Sequence, residues 1–413
     1  MNMEIVSIGD ELLTGRTVNG NGAMIAKALV REGYEVRGIT TVGDDAGDIE
    51  EAVARGMARS PVVIATGGLG PTKDDLTRPA VAGLLGRSVV RSDPWRAELQ
   101  QRYGILSDIL NDQAHVIEGS VLLPNRSGTA PGELLTRDEK VVALLPGVPS
   151  QMEEILEKAL LPELRRRISG KRIFRALFFV LLSENAIDPV LRTSQETYPE
   201  VRTGISPGYG SVATYLSAEK GSEERLNRVA NTLREAFASY LYSESHPGIE
   251  NALQALLMRK GLTLAVAESC TGGRIAARCT RMPGSSRVFL GSLVTYSDAL
   301  KRRVLSVDPE CLVEEGAVSE MTVRLMAEGV FGLSEADCVL ATSGIAGPAG
   351  ATEDKAVGTV CVAVGVPDRT IFTTTFSYPE PLGREVIMEK AGTELLAELW
   401  RYLRFGIFPF VDR

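Results

Sequence analysis

Histidine is nearly missing from this 413-residue chain, which has only His115 and His246. A His-rich metal centre is excluded, and a Ser-His-Asp triad is hard to build. Cysteine is sparse and badly spaced for pairing. Cys270, Cys279, Cys311, Cys338 and Cys361 are odd in number and contain no Cys-x-x-Cys, so neither a disulfide framework nor a structural zinc site is expected. No long hydrophobic run exists. Ala176 to Leu182, the most apolar stretch, is seven residues long, too short to cross a bilayer. Met1 to Leu13 lacks the basic and apolar parts of a signal peptide, and a cytoplasmic location with no membrane partner is expected. A basic block is also lacking. Net charge is −8, and Arg165-Arg166-Arg167 with Lys171 and Arg172 reads as the solvated end of a helix. Direct nucleic-acid binding is not expected.

What is present is an ordinary globular composition, 44% hydrophobic and 24% charged, in a length natural for two or three domains. Met3–Ser7, Val36–Thr41 and Val62–Ala65 read as strands, with helices over 22–32 and 49–57 between them. This rhythm predicts an α/β fold with a parallel, doubly wound sheet. Val141–Leu145 reads as a further strand, before a helix over 150–167. Residues 169–246 differ in style and read as a small α+β linker domain, separating an α/β domain over 1–168 from a second over 247–413. In the latter, strands are expected at 262–267, 288–295, 338–342 and 357–365, with a long closing helix at 382–403.

Three strand ends in the C-terminal part are small, polar and glycine-rich. Glu268-Ser269-Cys270-Thr271-Gly272-Gly273 follows the first strand. For Ser269 alone, capping the next helix is the simpler reading; a nucleophile or phosphate cradle is the sharper one. Tyr296 and Lys301 flank a strand-to-helix turn, and each alone reads as an ordinary strand or surface residue. Thr342-Ser343-Gly344-Ile345-Ala346-Gly347-Pro348 ends another strand and alone reads as a tight turn.

Together with Gly316-Ala317-Val318-Ser319-Glu320 and Val357-Gly358-Thr359-Val360, these segments resemble the C-terminal domain of the CinA family in order and spacing over about 150 residues. Active members are nicotinamide-nucleotide amidases. The resemblance implies hydrolysis of nicotinamide mononucleotide to nicotinate mononucleotide and ammonia, with Ser269 as nucleophile, Lys301 as base, and Tyr296 and Ser343 in support. Thr271, Gly272, Gly273, Thr342, Gly344, Gly347 and Arg384 are the implied substrate-binding positions. Amides near Gly272 or Ser343-Gly344 are expected to hold the oxyanion, and no cofactor is expected here. Two departures stand out: Lys355-Ala356-Val357 lacks the family's proline, and Met388 replaces a basic residue four positions after Arg384.

The N-terminal part carries Gly9-Asp10-Glu11 after its first strand and Gly67-Gly68-Leu69-Gly70-Pro71-Thr72-Lys73-Asp74-Asp75-Leu76-Thr77 after its third. The acids alone read as solvated turns. The glycine run suggests close backbone approach to a ligand. With Gly128-Thr129-Ala130-Pro131-Gly132 and Pro146-Gly147-Val148-Pro149, these segments resemble the molybdopterin-binding fold in its CinA version. That likeness implies a metal-dependent ADP-ribose pyrophosphatase, with a divalent cation (Mg, Mn or Co) on Asp10, Glu11, Asp44, Asp74 and Asp75, and nucleotide against Gly67, Gly68, Leu69, Gly70, Thr72 and Thr77. Asn19-Gly20-Asn21 and Gln151 depart from the family pattern. A homodimer is expected from the resemblance, with Phe405, Ile407, Phe408 and Phe410 either at its interface or packed back on their own domain. A non-catalytic pterin- or nucleotide-binding module, and an interaction protein of DNA uptake, are the alternatives.

Overall fold

The structure is a computed structural model and describes residues 2–105 and 107–411. The chain divides into two compact units, Met1–Phe174 with Ala218–Glu223, and Arg175–Ser217 with Glu224–Arg413.

The first unit is built on strands β1 (Asn2–Ile8), β2 (Glu35–Val42), β3 (Val62–Thr66), β4 (Val89–Arg91), β5 (His115–Ile117), β6 (Val121–Leu123), β7 (Gly132–Arg137) and β8 (Lys140–Leu145). Six of them form one sheet in the order β2-β1-β3-β8-β7-β6. The first four run parallel, as the sequence rhythm predicts. β7 and β6 run antiparallel, so the sheet is mixed. The cause is local: β7 and β8 are joined by the two-residue turn Asp138-Glu139, both with positive φ, as a tight hairpin requires. Alternation along the buried strands sorts side chains to two cores. Val62, Ile64, Val141 and Ala143 face one, and Val63, Ala65, Val142 and Leu144 the other, since successive residues of a strand point to opposite faces.

Next along the chain, β9 (Arg172–Val180), β10 (Arg202–Pro207), β11 (Ser211–Glu219) and β12 (Leu241–Ser243) form a four-stranded sheet, ordered β10-β11-β9-β12, most of it in the second unit. A five-stranded sheet follows, built from β13 (Leu264–Glu268), β14 (Phe289–Val294), β15 (Cys338–Gly344), β16 (Thr359–Gly365) and β17 (Ile371–Ser377), in the order β14-β13-β15-β16-β17. β13 lies parallel between β14 and β15, so its carboxyl end meets both of theirs. Most of the residues read as a linker domain, 175–217 and 224–246, group with the C-terminal part, and Val180 is buried in the same core as Val266, Leu340 and Leu396. The helix Arg384–Phe405 covers this face, and Glu320–Ser334 covers the other. The closing aromatics pack within their own unit, with ring centroids 5.7 Å apart for Phe372 and Phe408 and 5.9 Å for Phe376 and Phe410. No described helix is long and apolar enough to cross a membrane.

One buried ion pair fixes the first unit's glycine loop. Arg78 donates to Glu133 at 2.6 Å and to the Leu69 carbonyl at 2.8 Å, and Glu133 also accepts from the Ile117 amide at 2.7 Å. Glu133→Ala strands a buried guanidinium and an amide, and should destabilise this unit by about 3–5 kcal/mol. The apolar replacement Arg78→Met/Glu133→Leu should cost less. Denaturant unfolding followed by Trp95 fluorescence in a Trp400→Phe background measures both.

Candidate active site

The carboxyl end of β13 carries Ser269 into a turn. The end of β14 leads through Thr295 and Tyr296 into a short helix, Asp298–Leu305, started by the Ser297 hydroxyl accepting from the Leu300 amide. Lys301 sits on the inward face of that helix and is 1% exposed. Its Nζ lies 3.1 Å from Ser269 Oγ, and donates to the carbonyls of Thr295 at 3.2 Å and Tyr296 at 3.3 Å. The two groups named from sequence, 32 residues apart, are therefore in hydrogen-bond contact.

The lysine's partners decide its chemistry. Its nearest carboxylate, Asp298, is 3.9 Å away. Burial holds the Lys301 pKa below its ordinary value, against the opposing pull of Asp298 and Cys270. In its neutral form the amine has two N–H bonds and one lone pair. Carbonyl oxygens only accept, so in that form Thr295 and Tyr296 would take the two N–H bonds and leave the lone pair for the Ser269 hydroxyl. The neighbouring Cys270 offers no competing nucleophile. Its thiol is pushed up to about 12, chiefly by burial, with a bond to Thr342 opposing, and a thiol is inert without its thiolate.

The third strand end braces the turn. The Ser269 amide donates to the Thr342 carbonyl at 3.0 Å, and the hydroxyls of Thr271 and Thr342 share a hydrogen bond of 2.9 Å. Ser343 is close in sequence but engaged elsewhere, donating to the Ala317 carbonyl at 2.5 Å. Tyr296 serves the lysine through its main chain; its phenol instead meets Arg384 Nη2 at 2.9 Å. Arg384 also donates to the Gly347 carbonyl at 2.9 Å, so the arginine, Tyr296 and the Gly344–Gly347 loop form one cluster. Gly272 and Gly273 both adopt positive φ. A Cβ on Gly272 would stand 3.8 Å from Met388 Cε, which places the thioether against the turn.

Sequence reasoning missed Glu268. It is fully buried, and its carboxylate accepts from the amides of Gly273, Ile275 and Ala276 at 3.0, 3.1 and 3.0 Å and from the Ser292 hydroxyl at 3.1 Å. An acid ending an otherwise apolar strand was the available signal. The expectation that amides near Gly272 hold the oxyanion meets a physical obstacle: Gly272 N–H donates to the Ser269 carbonyl at 3.1 Å, and Gly273 N–H to Glu268.

In the first unit, the glycine loop is held by its own polar groups. Asp75 accepts from the amides of Gly70 at 2.7 Å and Thr72 at 2.9 Å, and from the Thr72 hydroxyl at 2.6 Å. Thr77 Oγ1 donates to the Gly67 carbonyl at 2.8 Å, beside Gly68. Asp10 and Asp44 each accept from the other's amide, at 3.2 and 3.0 Å. Burial holds the Asp44 carboxyl above its ordinary value, and negative charge at Asp10, Glu11 and Asp75 adds to this, while the Asp10 amide opposes it. Asp74 is exposed. Among the described residues, no three His, Cys, Asp or Glu side chains are grouped to hold a metal ion. Of the five expected acids, Asp10, Glu11 and Asp75 lie near enough to Asp44 to act on its carboxyl; Asp75 is also engaged in the loop and Asp74 faces solvent. Gln151 accepts from Asn125 at 2.9 Å. Asn21 donates to Thr66 and to the Gly147 carbonyl, at 3.2 and 2.8 Å.

Comparison with known proteins gives two family matches, the CinA C-terminal domain over residues 247–403 and a probable molybdopterin binding domain over residues 4–166. A CinA-like protein from Chlorobium limicola is 36% identical over 421 residues, covering 98% of each chain. Another from Gemmatimonas aurantiaca is 39% identical over 379 residues, covering 89% of each. Both halves and nearly the full length agree, and the chain belongs to the CinA family.

Proposed function

We propose that the second unit is an amidase acting on nicotinamide mononucleotide. The observation that carries this reading is the buried Lys301 Nζ, 3.1 Å from Ser269 Oγ and held by two carbonyls. A module that only bound ligand would have no need of a desolvated lysine against a serine; such desolvation disfavours the ammonium form.

The chemistry follows from that contact. The Lys301 lone pair takes the Ser269 proton as Oγ attacks the carboxamide carbon. Negative charge moves to the carboxamide oxygen in the tetrahedral intermediate. The carbon–nitrogen bond then breaks, Lys301 returns the proton to the leaving nitrogen, and ammonia departs. Water, deprotonated by the same amine, attacks the acyl-enzyme and releases nicotinate mononucleotide with Ser269 restored. Arg384, fixed by Gly347 and Tyr296 at the mouth of the cluster, supplies the charge for the substrate phosphate. For the first unit, ADP-ribose is the proposed ligand, supported by the glycine loop that Asp75 and Thr77 hold.

Three outcomes are expected. Ser269→Ala should reduce ammonia release from nicotinamide mononucleotide by about 10⁴-fold or more. Lys301→Arg should do the same, because a guanidinium never yields its lone pair at accessible pH; a coupled ammonia assay reads both. Arg384→Ala should raise KM about tenfold, the equivalent of about 1.4 kcal/mol, with kcat less affected.

The pH dependence has a definite sign. The base must be neutral, so kcat should rise with pH through the Lys301 pKa, at values below the unperturbed 10.4 or so. Stability follows linkage in the same direction. Between the lowered folded value and the unfolded one, the unfolded chain binds more protons, and stability rises with pH. Lys301→Met should abolish this slope, as read by denaturant midpoints across pH, while the wild-type rate profile shows the kinetic limb.

A further inference from the structure

A serine just ahead of a helix has a default task, to cap it. The first N–H groups of the helix Arg274–Thr280 need acceptors from outside the helix. Here they find them without Ser269. Glu268 takes the amides of Gly273, Ile275 and Ala276, and the Thr271 carbonyl takes the amide of Arg274 at 3.1 Å. The Ser269 hydroxyl is left with Lys301.

We infer that Glu268 is the positioning residue of the Ser269–Lys301 pair, closing the helix start in place of the serine and thereby reserving the serine hydroxyl for catalysis. This rests on the amidase reading of the site. Glu268 holds both partners. Its side chain fixes the turn that begins at the next residue, and its own carbonyl accepts from the Thr295 amide at 2.9 Å, the residue whose carbonyl orients Lys301. Ser292 on β14 locks the carboxylate from the other side.

Two consequences follow. The helix start is already occupied by an internal anion, so it is not the phosphate cradle that its glycines suggest; the substrate phosphate must be met elsewhere, which agrees with Arg384. The Thr271 amide donates to no protein acceptor among the described residues, and it is the donor the turn retains for a tetrahedral oxyanion.

The test is Glu268→Gln in the full chain. A glutamine turns an N–H donor towards amide donors, so the cap is broken and Ser269 becomes the nearest substitute acceptor. The expected result is a kcat for nicotinamide mononucleotide lower by about 100-fold or more, with KM within about threefold. Hydrogen exchange at Gly273, Ile275 and Ala276 should rise at least about tenfold while the helix Arg384–Phe405 stays protected. Ser292→Ala, which removes one of the four bonds, should lower kcat about three- to tenfold. The double variant should be no worse than Glu268→Gln alone. Wild-type kcat in folded Glu268→Gln, unchanged exchange at those amides, or additive losses in the double variant overturn the proposal. Absence of ammonia release from the wild type removes the amidase reading instead, and the exchange measurements still report on Glu268 as the cap.

Discussion

A lysine buried against a serine, with carbonyl oxygens as its other partners, is the constraint on which the functional account depends. Burying an ammonium is costly unless it is paired. Here the nearest carboxylate is 3.9 Å away and exposed, so the enclosure works against the charged form. The surrounding elements make sense as the frame that holds this unfavourable group in place. β13 lies between β14 and β15, and their three carboxyl ends deliver the serine, the lysine's helix and the threonine brace to one point. Ligands of open α/β sheets gather at such strand ends.

The same turn shows how a fold separates structural from chemical demands. Glu268 meets the needs of the helix backbone. Thr271 and Thr342 fix the turn to β15, and Ser297 starts the lysine's helix. Each auxiliary polar group is satisfied by another, and the Ser269 hydroxyl is kept for Lys301. Preorganisation of this kind lets electrostatic stabilisation act without rearrangement during the reaction.

The parallel strands were legible in the sequence because both of their faces are buried, which leaves continuous apolar runs such as Val62–Ala65 and Val141–Leu145. β17 was not, since Thr373-Thr374-Thr375 interrupts its apolar pattern; in the fold, Thr373 and Thr375 donate to Glu320. The helix Glu184–Thr197 was hidden by Pro189, which lies inside it and removes one main-chain hydrogen bond. The antiparallel edge of the first sheet was missed because Asp138-Glu139 lacks the glycine that usually marks a tight hairpin. At the site, residue types alone left Ser269 as a helix cap and Lys301 as a surface charge. Family resemblance joined them, and geometry then gave the reason, which no local pattern carries: the cap comes from the residue before the serine. Among the acids after the first and third strands, sequence reports the carboxylates but not which of them folds a loop, as Asp75 does.

The most direct measurement is intact-protein mass spectrometry of the acid-quenched reaction with nicotinamide mononucleotide, followed by peptide mapping. The account expects an added nicotinoyl nucleotide mass, on the peptide bearing Ser269 and as an ester at that hydroxyl, absent in Ser269→Ala. Ammonia release with the adduct on another residue, or turnover surviving in Ser269→Ala, would contradict it.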